Sequence, residues 1–283
     1  MNIGIIGKGF VGSAVHYGFS TDPHNDFDIK IYDKNPKLSS HSLEETINHS
    51  EIVFVSVPTP ANLDGSINLE IINDILSEIN NCYDGKSIIL LRSTLIPGTS
   101  SMFSKKYSKL KIVFNPEFLT ERSAKFDFIN QSRFILGGEK KLTSKVADLY
   151  RWRFGSTIQI IETTFETAEL IKYMNNCFFA TKVSFLNEMK QVAEKCNADW
   201  DMAIEGFISD GRIGHSHLSV PGPDGKFGFG GSCFPKDIQA MINFGTEKNL
   251  ELSTLIGAWE TNLKVRPEKD WEKLKGRAVV NDD

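Results

Sequence analysis

Six residues near the start of the chain constrain it more than any others. The run Gly7, Lys8, Gly9, Phe10, Val11, Gly12 follows a short apolar stretch at residues 3–6 and opens a stretch of helical spacing at residues 12–19. Between a strand and a helix, three glycines at this spacing have separate tasks. The first permits a tight turn, the second lets a pyrophosphate approach the backbone, and the third lets the helix pack on the strand. The helix N-terminus then offers N–H groups to the phosphates. Asp33 ends a second strand-like segment at residues 29–32, about 20 residues beyond the last glycine, where a ribose 2′-OH needs an acceptor. Its charge repels a 2′-phosphate, so the expected cofactor is NAD, bound by Gly7, Gly9, Phe10, Val11, Gly12 and Asp33. An ordinary glycine turn with a surface aspartate is the competing reading, and the strand–helix context weighs against it.

The rest of the first half keeps the same alternation. Residues 52–57, 87–91, 111–114, 134–136 and 158–161 read as further strands, and residues 69–80 have helical spacing of Ile and Leu. This pattern predicts an α/β fold: an N-terminal Rossmann-like, doubly wound parallel sheet over residues 1–162. Thr163 followed by Glu166 has capping-box form. A long apolar-rich helix to about residue 196, a glycine-rich loop at residues 220–231 and helices at 236–249 and 252–263 predict an α-helical substrate and dimerisation domain over residues 163–283. Residues 279–283 read as a frayed polar end.

Composition narrows the function classes. The 283 residues carry a net charge of −4 and no basic stripe, which argues against a nucleic-acid partner. The apolar runs have strand length, which argues against a membrane span, and the N-terminus lacks signal-peptide shape; the cytosol is the expected location. The four cysteines, Cys82, Cys177, Cys196 and Cys233, form no CxxC pair, and His215 and His217 form a lone HxH, so no metal site is expected. Cys82, Cys177 and Cys196 read as small apolar residues in helical patterns, and both histidines as polar loop residues.

Four further segments are unexplained by the fold. They are VPTP at residues 57–60, RSTLIPGT at 92–99, NPEFLTE at 115–121 and GFGGSCFPKD at 228–237. The first three end predicted strands, where ligands bind in open parallel sheets. In the fourth, Pro235 suits the first turn of a helix, which would put Cys233 at the helix N-terminus. That position and the neighbouring Lys236 both favour a thiolate. Asp237 would lie one helical turn beyond Cys233, and Lys172 and Asn176 are likewise one turn apart.

Together these segments resemble the UDP-glucose/GDP-mannose dehydrogenase family, in order and over nearly the whole chain. The resemblance implies a four-electron oxidation of a sugar-nucleotide primary alcohol to a carboxylate, UDP-glucose to UDP-glucuronate first among the choices. It implies NAD as cofactor and Cys233 as nucleophile through a thiohemiacetal and a thioester. It also implies that Lys172 and Asn176 stabilise the oxyanion, that Asp237 and Thr94 hold water, and that Glu117 is the base for hydrolysis. Thr59, Thr94, Glu121 and Lys236 are then expected at the cofactor. Phe118, Leu119, Glu121, Lys172, Asn176, Phe229, Gly230 and Arg212 are expected at the sugar nucleotide, Arg212 from a second copy in a homodimer built on the long helix. Full-length members continue into a second α/β domain that contacts the nucleotide; this sequence stops soon after Lys264. Plainer readings remain for single residues: a solvated Lys172, surface charge for Glu117 and Glu121, loop capping for Thr94, a first-turn carboxylate for Asp237. Two other functions also stay open, oxidation of a smaller sugar-phosphate alcohol and a non-catalytic NAD-binding scaffold.

Overall fold

The computed structural model of the chain describes residues 1–24 and 26–281. In chain order the first elements are β1 (Asn2–Ile6), α1 (Phe10–Ser20), β2 (Asp28–Tyr32), α2 (Leu43–His49), β3 (Ile52–Val55), α3 (Glu70–Cys82) and β4 (Ile88–Leu91). Then come α4 (Thr99–Lys106), β5 (Lys111–Phe114), α5 (Ala124–Ile129), β6 (Arg133–Gly138), α6 (Lys140–Phe154) and β7 (Gln159–Thr163). The helical part holds α7 (Phe165–Lys195), α8 (Trp200–Ile208), α9 (Phe234–Glu247) and α10 (Ser253–Val265).

The seven strands form one sheet in the order β2-β1-β3-β4-β5-β6-β7. Fully apolar β3 and β4 are buried along their whole length, as strands covered on both faces must be. Alternate residues feed two cores: Ile52, Phe54, Ile88 and Leu90 join one cluster, and Val53, Val55, Ile89 and Leu91 the other. Chain order reverses between β1 and β3, the switch point outside whose carboxyl ends ligands bind in such sheets.

The sheet is not wholly parallel as expected. β1 to β5 are parallel, β6 pairs antiparallel with β5, and β7 runs parallel to β6. The helix between β5 and β6 is the cause. α5 has only 6 residues and leans on α1, with Phe128 against Phe19 and Gly18, so it does not carry the chain back to the start of β5.

Two compact units result, one of Met1–Thr59 with Leu69–Lys172, the other of Pro60–Asn68 with Tyr173–Asp283. The division expected at residue 162 coincides with the end of the sheet; the units part inside α7. The expected cap is also displaced. Thr163 ends β7, the Thr164 hydroxyl accepts the Thr167 N–H at 3.2 Å, and the Glu166 carboxylate takes the Ser101 hydroxyl instead. The chain end differs too. Val280 donates to the Ala61 carbonyl at 2.9 Å, Ala61 donates to that of Ala278 at 3.0 Å, and buried Trp271 packs on Trp259. Residues 279 and 280 are therefore tied down within the second unit, while Asp282 and Asp283, also expected to fray, lie outside the described residues. No helix among the described residues is long and apolar enough to cross a membrane.

Candidate active site

The first unit builds the glycine turn as its spacing requires. Gly7 has φ of 86°, and a Cβ on it would sit 2.6 Å from the Ser56 carbonyl oxygen. A Cβ on Gly12 would sit 1.9 Å from the Gly7 oxygen, so only glycine lets α1 start against this turn. Gly9 is the N-cap of α1, no side chain caps it, and its Cβ direction is open. Phe10 and Val11 pack partly buried against the core and anchor the turn. Asp33 directly follows β2 and accepts the Lys8 N–H at 2.6 Å with one oxygen and the Asn35 N–H at 2.8 Å with the other. Loop and acidic residue are thus braced together, and the open, uncapped side of Gly9 fits a pyrophosphate at a helix N-terminus.

At the carboxyl ends of the neighbouring strands, the Thr59 hydroxyl donates to the Thr94 carbonyl at 3.0 Å, linking two of the loops singled out in the sequence. Beyond β5, Glu117 is buried. One of its oxygens takes the Lys172 ammonium at 2.7 Å, the other the Leu119 N–H at 2.7 Å, and Lys172 also donates to the Glu117 carbonyl at 2.6 Å. Lys172 is 3 % exposed, which rules out the solvated reading, and its charge also faces the Phe118 ring. Glu121 is exposed at the start of a 3-10 turn, while the Glu117 carboxylate takes the Leu119 N–H two residues on.

In the second unit Cys233 is the N-cap of α9, with Pro235 in the first turn. Asp237, one turn on and 1 % exposed, accepts from Asn176 at 2.5 Å and from Lys236 at 2.5 Å. Lys236 is thus buried in an ion pair with Asp237. Phe229 is buried, and the Asn262 side chain accepts its N–H at 2.7 Å and donates to its carbonyl at 3.0 Å. Gly230 carries the Arg266 guanidinium against its backbone. Arg212 is exposed and forks onto Asp210 of its own chain. Of the other thiols, Cys177 is buried, and burial first, then the Asp237 charge, pushes its pKa up; Cys82 is half-buried; Cys196, against expectation, is exposed just past the end of α7. His215 is exposed, as a loop residue should be, while His217 stacks on Phe179 with centroids 4.2 Å apart. Among the described residues no three His, Cys, Asp or Glu side chains gather as a metal site.

Several polar residues that hold these loops were missed from the sequence. Glu169, wholly buried on α7, accepts the Gly98 N–H at 2.6 Å and the Ser100 N–H at 2.7 Å, fixing the loop that follows Thr94. Arg92, 1 % exposed, bonds Asn115, which also takes the Tyr150 hydroxyl and donates to the Ile135 carbonyl at 2.8 Å. This fixes the residue two before Glu117. Burial raises the Tyr150 pKa to about 12, with Arg92 opposing. The available signal was a charged residue at an apolar helical position, Glu169 being one turn before Lys172.

Comparison with known proteins agrees with this arrangement. Residues 30–153 match the NAD binding domain of the UDP-glucose/GDP-mannose dehydrogenase family, and residues 166–264 match its central domain. A UDP-glucose 6-dehydrogenase of Rickettsia prowazekii is 31 % identical over 99 % of this chain and 72 % of its own length. One of Bacillus subtilis is 30 % identical over 89 % of this chain and 64 % of its own. This chain thus spans about two thirds of the length of such relatives. A UDP-glucose dehydrogenase structure from Pyrobaculum islandicum superposes with a TM-score of 0.82 at 27 % identity, covering 93 % of this chain and 68 % of that one. A 3-hydroxyisobutyrate dehydrogenase of Mycobacterium tuberculosis, 15 % identical with a TM-score of 0.74, shares the fold alone. With both domain models matched in order and a relative above 30 % identity covered over most of its length, the chain belongs to the UDP-glucose/GDP-mannose dehydrogenase family, whose members are NAD-dependent nucleotide-sugar dehydrogenases.

Proposed function

We propose that this chain oxidises the primary alcohol of a sugar nucleotide to the carboxylate, with UDP-glucose the first substrate to try. The observation that carries this reading is Cys233 at the N-cap of α9 with Asp237 one turn on, held by Asn176 and Lys236. Two NAD molecules, bound in turn at the glycine turn and Asp33, each accept one hydride. The alcohol loses a proton and a hydride to give the aldehyde. The Cys233 thiolate adds to the aldehyde carbon, and the hemithioacetal loses a second hydride to become a thioester. Water then adds, the C–S bond breaks, and the carboxylate leaves with the thiolate restored.

The other residues serve the charges these steps create. Lys172 and Asn176 stabilise oxygen anions at each addition. Glu117 takes the proton of the hydrolytic water, and Asp237 with Thr94 orients it. Thr59 and Glu121 border the cofactor, and Phe118 and Gly230 the sugar. Arg212 acts from a second copy of the chain, in a homodimer formed along α7. Supporting that dimer, Leu170, Met174, Phe178, Phe185, Met189 and Val192 make an exposed apolar face along one helix.

NADH formed per acid produced, with UDP-glucose, tests the reading for the wild type and Cys233→Ala. Two NADH per acid are expected from the wild type and no acid from the variant. Acid formation surviving in the variant would overturn the role of Cys233. No NADH with any sugar nucleotide, while NAD still binds by calorimetry, would overturn the substrate class.

A further inference from the structure

The segment after α10 holds a buried arginine that nothing in the mechanism above uses. Arg266 is 1 % exposed. Its Nη2 donates to Asp224 and Asp270 at 2.7 Å each, its Nε to Asp270 at 2.9 Å, and its Nη1 to the Phe227 carbonyl at 3.3 Å. The guanidinium lies flat on the glycine-rich arm: a Cβ on Gly230 would be 2.5 Å from Nη2. Burial alone would lower its pKa, but the hydrogen bonds it donates to Asp270 and Asp224 outweigh burial and keep it charged. Lys226, on the same arm, pairs with Glu268 at 3.1 Å and Asp270 at 3.4 Å. Next along the arm, Asn187 accepts the Gly228 N–H at 3.0 Å and Asn262 holds Phe229 from both sides. The arm then turns at Gly231, φ 73°, and ends at Cys233.

A buried ion cluster is a poor way to gain stability, because apolar residues of similar volume serve as well or better. A planar fork does what they cannot. It fixes two carboxylates and a carbonyl at set angles at once. Every anchor of Arg266 is on the arm that delivers Cys233 or on the turn just after α10.

We propose that Arg266 is the positioning residue for Cys233, its guanidinium clamping the arm at residues 224–230 so that the thiol sits at the N-cap of α9. This rests on Cys233 being the nucleophile. A lysine keeps the charge but not the fork, so it does not restore the clamp.

Alkylation of Cys233 by iodoacetamide, followed by peptide mapping across the neutral pH range, tests the clamp without any substrate. Wild type, Arg266→Met, Arg266→Lys and Asp270→Asn are compared, with circular dichroism and thermal melts as the check on folding. Asp224 and Asp270 are 34 % and 28 % exposed, so they rehydrate when the arginine is removed. The expected result is alkylation slower by about tenfold at neutral pH in both Arg266 variants, with the pH profile moved to higher pH. Asp270→Asn is expected to lie between them and the wild type. A wild-type rate and profile in folded Arg266→Met, or in Asp270→Asn if the first does not fold, would overturn the inference and leave the nucleophile reading intact. A wild-type Cys233 no more reactive than a free thiol would overturn both.

Discussion

Glu169 shows what a single buried charge costs and does. Each of its oxygens accepts one backbone N–H at the start of α4, yet burial still pushes its pKa up to about 7 from 4.5. The folded state therefore holds this proton more tightly than the unfolded chain. The stability it contributes is complete below pH 4.5 and is lost as pH rises through about 7. The full span is worth about 3 kcal/mol. Glu169→Gln removes the titration and sets an amide N–H₂ against one of the two donors. Unfolding measured along this pH range is expected to show the wild type losing stability relative to the variant as pH rises. A difference that stays constant with pH would disprove the raised pKa. Lys172, in an apolar helix, was legible as a lysine that must snorkel, pair or do chemistry; that it pairs with Glu117 was not, because the two lie on segments far apart in sequence.

At the scale of elements, the turn between β1 and α1 separates folding from binding. Gly12 has no room for a methyl group, whereas a methyl on Gly9 meets no atom within 4 Å and its φ of −68° suits alanine. Gly9→Ala is therefore expected to melt like the wild type but to bind NAD at least about tenfold more weakly, roughly 1.4 kcal/mol. Gly12→Ala is expected to lose both binding and about 1–3 kcal/mol of stability. Calorimetry beside thermal melts checks the pair. Unchanged NAD affinity in Gly9→Ala would remove the pyrophosphate from this turn. The glycine spacing was readable because it is local. The antiparallel β6 was not, because strand direction depended on where α5 found its packing partner.

At the scale of the whole molecule, α7 leaves an apolar face exposed among the described residues. Six large apolar side chains lie along one helix, with Met174 and Phe178 more than 60 % exposed. Sedimentation equilibrium is expected to show a dimer, and Phe178→Glu to shift it to monomer without loss of NAD binding. A wild-type monomer at working concentration would refute the α7 dimer and, with it, the action of Arg212 on a second copy.

Local spacing in the sequence was enough to determine the strand–glycine–helix turn, its acidic partner Asp33, the alternation of strands and helices, and Cys233 at the start of a helix. Each follows from neighbouring residues whose geometry is set by the backbone period. Tertiary structure alone decided how the polar groups pair. Glu117 takes both Lys172 and the Leu119 N–H, and Asp237 takes both Asn176 and Lys236. Arg266 closes on an arm that precedes it by some forty residues. A buried donor or acceptor must find whichever partner the packing brings within about 3 Å, and no local pattern specifies that partner.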